Sequence, residues 1–125
     1  MSIQTERRRR AERHGRWAES LCLWSLRLRG YRIIARDYRA AVGEVDILAR
    51  RGGTLVAIEV KARGNHASAS EAITPRQRRR ITRAAAHFLS SRPDLAGLAL
   101  RFDVMLVTPG RLPLHLRDAW REGDR

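Results

Sequence analysis

The chain has little of what secreted, disulfide-bonded or membrane-spanning proteins are built from. It contains a single cysteine, Cys22, so no internal disulfide can form, and it has no Cys/His spacing typical of a zinc site. Charged residues up to Glu19 follow the arginines of residues 7–10, and long apolar runs are absent. We therefore expect neither a signal peptide nor a membrane span, and a cytoplasmic location.

Acidic residues are also scarce. The 13 Asp and Glu face 26 Lys and Arg, which gives a net charge of +13 and a pI of about 11.7. Such a surplus predicts a polyanionic partner, with nucleic acid ahead of an anionic membrane surface. A length of 125 residues with 43% hydrophobic residues predicts one domain, residues 14–125. Residues 1–13 would be a basic N-terminal arm or a frayed extension of the first helix.

Residues 45–62 predict a β-hairpin. Gly52 and Gly53 separate two apolar runs, and glycines readily supply the positive φ of a two-residue turn. Whether the loop has two or four residues, this turn places Arg50 opposite Leu55. The hairpin is the stretch in which candidate catalytic groups gather.

Extending that register places Asp46 opposite Glu59, and Glu44 opposite Lys61. Opposed residues have Cβ atoms about 4.5–5.5 Å apart, and like charges at that separation repel. Mg²⁺ would offset the repulsion, since it prefers oxygen ligands and is often held by one or two carboxylates. The alternative is that Lys61 alone neutralises the two carboxylates at a solvated strand end.

Lysine is scarce too, because Lys61 is the only one in the chain and arginine fills every other basic position. An ammonium group can change its pKa and orient or activate a water molecule, whereas a guanidinium is always charged and planar. The exception at position 61 therefore favours a chemical role over charge balance.

The first helix is predicted over residues 14–29 and ends at Gly30. Apolar residues recur along one side at helical spacing (Trp17, Leu21, Trp24 and Leu28), and a second stripe follows another side (Glu19, Cys22, Leu23 and Leu26). Glu19 is thus a carboxylate on an otherwise apolar stripe. It either pairs with an arginine or binds a metal ion.

A second helix is predicted from Thr74, with Pro75 at its first position and Gln77 at capping-box spacing. One side carries apolar residues (Ile81, Ala84, Ala85, Phe88 and Leu89), and the other is a basic ridge (Arg76, Arg79, Arg80, Arg83 and His87). No acidic residue lies between Pro75 and Pro93. Phosphate contact is therefore a better interpretation of the ridge than a merely solvated face.

The remaining patterns predict strands over residues 31–39 and 98–108, and a short edge strand or a final turn over residues 114–120. A structural or surface position is favoured for Asp103 over a position near the site. The predicted order is helix, three strands, helix, then one or two strands. This order indicates an α/β or α+β domain with a central sheet and helices packed against it.

Glu19, Asp46 and the Glu59-Val60-Lys61 triplet together resemble the signature of the restriction-endonuclease-like, or PD-(D/E)xK, nuclease superfamily. Their layout is similar to that of archaeal Holliday-junction resolvases. Further segments resemble the YraN-like bacterial proteins over nearly the whole chain after the arm: residues 15–19, 30–31, 43–46, 59–63, 73–75 and 101–104. The resemblance implies a restriction-endonuclease-like fold with a mixed central β-sheet.

The resemblance also implies an activity, that of a metal-dependent endonuclease acting on DNA rather than RNA, with branched DNA as a plausible substrate. The implied catalytic residues are Glu19, Asp46, Glu59 and Lys61. Asp46, Glu59 and the Val60 carbonyl would bind Mg²⁺ or Mn²⁺, Glu19 would complete the ligands, and Lys61 would position the attacking water. The resolvases act as dimers, which implies a homodimer by analogy.

Nucleic acid would contact a set of arginines on the hairpin end and the second helix (Arg63, Arg76, Arg79, Arg80 and Arg83). The family pattern has asparagine where this chain has Asp37, and often lysine where it has Gln77. Neither difference removes a residue of the implied metal site. Two alternatives to the nuclease stay open: a non-catalytic nucleic-acid-binding module on the same fold, and an RNA-binding accessory protein.

Overall fold

A computed structural model describes residues 3–62 and 73–121 of the chain. Its elements follow the predicted order: α1 (Ile3–Leu28), β1 (Arg32–Ala40), β2 (Gly43–Arg51), β3 (Thr54–Ala62), α2 (Pro75–Ser90), a 3-10 turn (Pro93–Leu95), β4 (Ala99–Val107) and β5 (Leu114–Trp120). The α+β fold is confirmed, and it is consistent with a restriction-endonuclease-like arrangement. Within the described ranges, neither helix is long and apolar enough to cross a membrane.

The five strands form one mixed sheet in the order β1-β2-β3-β4-β5. Neighbouring strands are antiparallel except β3 and β4, which are parallel. A parallel pair needs a long crossover connection, and α2 lies in the segment that joins β3 to β4. The mixed character of the sheet thus follows from the position of α2 in the chain.

The two helices cover opposite faces of the sheet. On one face, Cys22 and Leu26 of α1 pack with Ile47, Val56 and Ile58. On the other face, α2 packs against alternate residues of the same strands (Val45, Leu48, Leu55, Ala57, Phe102, Val104 and Leu106). Because both faces are covered, β3 is apolar on both sides from Leu55 to Ile58.

Only one of the two apolar stripes on α1 is buried. The sheet takes the stripe that contains Cys22, whereas Trp17 is 48% exposed, Trp24 64% and Leu28 83%. Two residues along a helix turn a side chain by roughly 200°, so Cys22 and Trp24 face opposite ways. The helix also begins at Ile3, earlier than the predicted residue 14, because Arg, Glu and Ala are all good helix formers. The boundary between arm and domain stays a prediction.

The predicted turn and cap are confirmed. Arg50 pairs with Leu55, and the turn has two residues, Gly52 and Gly53. Gly52 has a φ of 60°, in the left-handed region, but Gly53 lies outside that region. At α2, the Thr74 side chain and Gln77 form the reciprocal capping box. The hairpin turn and the helix cap both depend on residues within a few positions of one another, so local patterns suffice to predict them.

Candidate active site

The predicted site lies where β2 and β3 separate. Their last paired residues are Ile47 and Ile58. At the residue before Ile47, a side chain replaces the backbone as hydrogen-bond acceptor. The Asp46 Oδ2 accepts a hydrogen bond from the Val60 backbone N–H over 2.8 Å. The described pairing therefore stops before the predicted Asp46–Glu59 register. The next predicted pair, Glu44 with Lys61, is not found either, because the pairing of β2 with β3 does not extend past Ile47 and Ile58.

Side-chain alternation is interrupted at Asp46. Val45 packs in the α2 cluster and Ile47 in the α1 cluster, although a regular strand would turn both to one face. Asp46 thus lies between the two layers. Burial, and in addition the charge of Asp46, raise the pKa of Glu19 on the α1 side and that of Glu59 on the neighbouring strand. Asp46 is therefore the residue that the two halves of the predicted site share.

Glu59 and Lys61 form an ion pair at the end of β3. Lys61 Nζ lies 3.5 Å from Glu59 Oε1, and the two side chains are only 17% and 15% exposed. Burial and the nearby Asp46 charge raise the pKa of Glu59 to about 8, although Lys61 opposes the shift. Burial also raises the pKa of Asp46, against the hydrogen bond from Val60. Both carboxyls consequently hold protons more tightly than free ones do.

Asp46 and Glu59 are two adjacent, partly buried carboxyls, and their oxygens are the donors that Mg²⁺ or Mn²⁺ prefers. Mg²⁺ commonly needs only one or two carboxylates plus water and substrate phosphate. The donor chemistry of Asp46 and Glu59 therefore fits the metal. Within residues 3–62 and 73–121, no three or more His, Cys, Asp or Glu side chains are grouped to hold an ion. Ligation by Glu19 or by the Val60 carbonyl stays a prediction.

Glu19 faces a cleft of about 460 Å³ on the α1 side of the sheet. The lining carries both signs of charge and a small apolar wall (Arg16, Ala18, Glu19, Asp37, Arg39, Asp46, Val60 and Ala62). Glu19 is 7% exposed, and Arg36 Nε lies 3.4 Å from its Oε1. Burial and the charges of Asp37 and Asp46 raise the pKa of Glu19 despite Arg36. The predicted arginine pairing of Glu19 is thus found.

Glu59 and Lys61 do not line this cleft. Alternation along β3 turns them to the face opposite Val60 and Ala62, which do line it. The structure therefore divides the four predicted catalytic residues into two pairs. Glu19 and Asp46 meet in the cleft, while Glu59 and Lys61 lie beside Asp46 on the other side of β3.

Asp37 is a cleft residue that the sequence prediction did not include. Its φ is 49°, the left-handed conformation that Asn and Asp tolerate better than most residues. This backbone preference explains why asparagine can occupy the position in the family pattern. The only signal in the sequence was the aspartate at a position where the family pattern has asparagine. In this chain Asp37 adds a negative charge beside Glu19 and Asp46.

The predicted arginine ridge faces solvent on the outer side of α2. Arg76, Arg79, Arg80 and Arg83 are exposed, while the opposite side of the helix is buried in the α2 cluster. None of the four lines the cleft, which lies on the α1 side. Arg63 and the polar loop after it fall outside the described residues.

Asp103 has the structural position that its off-core register predicted, although it is completely buried. Arg101 donates to both of its carboxylate oxygens over 2.9 and 2.8 Å, the Asp118 backbone N–H donates over 2.9 Å, and His115 Nε2 lies 2.7 Å away. Burial opposes ionisation, but these hydrogen bonds keep the pKa of Asp103 below its usual range. The network joins β4 to β5 and lies apart from the cleft residues.

Comparison with known sequences shows the family to which the chain belongs. A model of the uncharacterised protein family UPF0102 matches residues 18–107. A UPF0102 protein of Parvibaculum lavamentivorans is 53% identical over 111 residues, covering 89% of this chain and 84% of its own. One from Maricaulis maris is 52% identical over 120 residues, covering 96% and 94%. A third, from Paramagnetospirillum magneticum, is 50% identical over 115 residues, covering 89% of each chain.

Proposed function

The chain belongs to the uncharacterised protein family UPF0102, the YraN-like group that its motifs predict, and we propose that it is a metal-dependent endonuclease hydrolysing phosphodiester bonds of DNA. We further propose branched DNA, such as a Holliday junction, as its substrate. One observation carries the proposal: the partly buried Asp46 and Glu59 carboxyls lie together beside the only lysine of the chain.

A buried pair of carboxyls is a costly arrangement for a purely structural purpose. Apolar residues of similar size would fill the same space without desolvating charge. The raised pKa values of Asp46 and Glu59 express that cost. Perturbed carboxyls beside a lysine are typical of functional sites, and here they support metal binding.

Each residue has a distinct task in the proposed reaction. Asp46 is held by the Val60 N–H, so its free oxygen keeps a fixed direction, and Glu59 supplies the second carboxylate. Bound Mg²⁺ or Mn²⁺ would stabilise negative charge on the phosphate and lower the pKa of a water molecule. Lys61, held by Glu59, orients the attacking water toward phosphorus. Water attacks directly, so no residue becomes covalently attached to the DNA.

Charge distribution supports nucleic acid as the partner. The net charge of +13 would attract a phosphate backbone, and α2, which contains no acidic residue, presents exposed arginines. Arg16 and Arg39 add positive charge at the cleft that contains Glu19 and Asp46. A homodimer, by analogy with the resolvases, remains part of the proposal.

A second candidate is a non-catalytic nucleic-acid-binding module. The observation that favours it is internal neutralisation, because Arg36 lies against Glu19 and Lys61 against Glu59. Carboxylates that are already paired with cationic side chains can have a purely structural role. In that case the basic surface would bind nucleic acid and no bond would be cut.

Asp46→Asn separates the two candidates. Asparagine keeps an oxygen that can accept from the Val60 N–H but removes the charge that a cation needs. We expect the wild type to bind Mn²⁺ in isothermal titration and to cut a four-way junction, and the variant to lose both activities. DNA affinity, measured in EDTA so that neither protein carries a metal ion, should be equal or tighter in the variant because a negative charge has been removed.

Asp94→Asn is the matched control, since Asp94 is exposed and pairs only with Arg92 in the described structure. It should bind metal and cut DNA like the wild type. A wild type that binds DNA but neither binds Mn²⁺ nor cuts any junction, flap or linear DNA would refute the nuclease and leave the binding module.

A further inference from the structure

The exposed stripe of α1 is an apolar surface that the fold does not use. Trp17, Trp24 and Leu28 are 48%, 64% and 83% exposed, and Leu21 between them is partly buried. Trp17 and Trp24 are seven residues apart, which on a helix puts them on one side at about 10 Å. Tryptophan side chains are mostly buried in proteins, so two exposed tryptophans on one side of a helix indicate a binding surface.

The exposed charged residues of α1 from Arg16 onward are all basic. From Arg16 to Arg36 the chain contains one acidic residue, Glu19, and it is buried against the sheet. Arg16, Arg27 and Arg29 are exposed on the same helix or at its end. A polyanion therefore meets attraction along the exposed side of α1 from Arg16 to Leu28. A second copy of this chain would bring like charges together instead.

Arg16 connects the stripe to the candidate active site. It lines the cleft with Glu19 and Asp46, and Trp17 follows it directly in the chain. A strand lying along α1 would therefore reach the cleft without crossing acidic surface. An anionic membrane would contact the same stripe, but the cleft beside it would then have no use.

We propose that Trp17 and Trp24 form a stacking platform for unpaired bases of a nucleic acid, with Arg16 and Arg27 holding its phosphates. Stacking on aromatic rings accepts any base, because every base has a π-face, and arginine adds backbone attraction. The platform deepens the proposed function and rests on it for one point only: the single-stranded arm of a branched substrate would lie on α1 and lead to the cleft.

Fluorescence titration with an oligothymidine in EDTA tests the platform without requiring cleavage. The third tryptophan, Trp120, is buried, so quenching by bound bases reports on Trp17 and Trp24. The double variant Trp17→Leu/Trp24→Leu keeps the apolar stripe but removes the rings. We expect its affinity for the oligothymidine, measured by anisotropy, to fall on the order of tenfold or more.

Three comparisons make the result specific. Affinity for blunt duplex DNA should stay unchanged in the leucine variant, and the salt dependence should keep its slope because no charge is removed. Trp17→Phe/Trp24→Phe should recover most of the lost affinity. Leu28→Ala, which trims the stripe without touching an aromatic ring, should bind the oligothymidine like the wild type.

The platform is wrong if the leucine variant keeps its oligothymidine affinity, loses duplex affinity equally, or is not rescued by phenylalanine. Unchanged DNA binding with weaker binding to phosphatidylglycerol vesicles would assign the stripe to a membrane surface. Unchanged DNA binding with a dimer converted to monomer in sedimentation would assign it to a second copy. Titrations in the Asp46→Asn background keep this test independent of catalysis, so a chain that stacks bases but never cuts refutes only the nuclease.

Discussion

The backbone N–H of Val60 donates to the side chain of Asp46 over 2.8 Å, at the point where β2 and β3 stop pairing. A carboxylate thus completes a hydrogen bond that a backbone carbonyl would otherwise accept. This relationship fixes the direction of Asp46 and also makes it part of the sheet. Variants of Asp46 therefore change stability as well as chemistry, and the two effects need separate measurements.

Asp46→Ala should destabilise the fold more than Asp46→Asn does. Both variants remove the charge, but alanine also leaves the partly buried Val60 N–H without its acceptor, which costs about 1–3 kcal/mol. Urea unfolding of the two variants measures the difference. At the exposed Asp94, the same two substitutions should unfold at the same urea concentration. Equal stability of the two Asp46 variants would mean that water replaces the carboxylate at Val60.

Glu59 should make stability depend on pH. Its folded-state pKa of about 8 lies above the ordinary 4.5, so the folded chain keeps a proton that the unfolded chain releases. The contribution is fully present below pH 4.5 and is lost as the pH rises through 8. In EDTA, the free energy of unfolding of the wild type should therefore fall relative to Glu59→Gln across this window, on the order of a few kcal/mol at most.

Mn²⁺ should reverse that trend, because a cation takes the place of the proton and binds better as the pH rises. Thermal shift measurements at several pH values, with and without Mn²⁺, follow both effects. Glu44→Gln, at an exposed glutamate of the same hairpin, should follow the wild type throughout. Parallel stability curves for the wild type and Glu59→Gln would show that Glu59 titrates normally.

Lys61→Arg should stop cleavage without unfolding the protein or abolishing Mn²⁺ binding. Arginine keeps the positive charge beside Glu59 but cannot present a compact ammonium to a water molecule. We expect single-turnover junction cleavage to slow by about 100-fold or more. The reverse exchange at the Glu19 ion pair, Arg36→Lys, is the matched control and should cut at close to the wild-type rate. Full activity in Lys61→Arg would leave Lys61 with charge balance only.

The arginine ridge on α2 should bind phosphates of the nucleic-acid backbone. Arg79→Glu/Arg83→Glu is expected to weaken binding to DNA of any sequence and to flatten the dependence of log K on log salt by about 0.9 for each phosphate that the protein no longer neutralises. Arg111→Glu/Arg117→Glu makes the same charge change at exposed positions in and before β5. Equal effects of the two double variants would mean that net charge matters and the ridge does not.

Gly43 is where α2 rests on β2, and any side chain there should destabilise the protein. A Cβ added at Gly43 would lie 2.0 Å from the backbone oxygen of Arg80, so the helix must move. We expect Gly43→Ala to lower the free energy of unfolding by about 1–3 kcal/mol in urea. Gly97→Ala is the matched control, because nothing lies within 4 Å of its added Cβ. Similar urea midpoints for both variants would contradict the close approach of helix and strand.

Some parts of the site needed the fold before they could be recognised. Asp103 and His115 are brought together because Met105 of β4 pairs with His115 of β5, and strand pairing of this kind has no local signature. Asp37 looks like an ordinary strand residue in the sequence, yet its left-handed backbone turns it into the cleft lining. The sequence pattern recognised Asp103 only as a residue off the core face.

The sequence alone determined the features that depend on neighbours along the chain. Helix periodicity, the Thr74 cap, the Gly52 turn and the basic face of α2 all follow from spacing within a few residues, and so does the order of elements. The Glu59-Val60-Lys61 triplet and the family are likewise visible in the letters. Local propensity and side-chain direction are short-range properties, so no tertiary contact is needed to predict them.

Only the tertiary structure decided which surfaces meet. The sequence of α1 has two apolar stripes, and either could have packed on the sheet. In the structure the stripe with Cys22 packs against β3, and Trp24 is left exposed. At Asp46 the alternation breaks, so that Val45 before it packs in the α2 cluster and Ile47 after it packs in the α1 cluster. Such choices depend on packing between distant segments. The spacing of residues within one strand or helix therefore cannot predict which surfaces pack together.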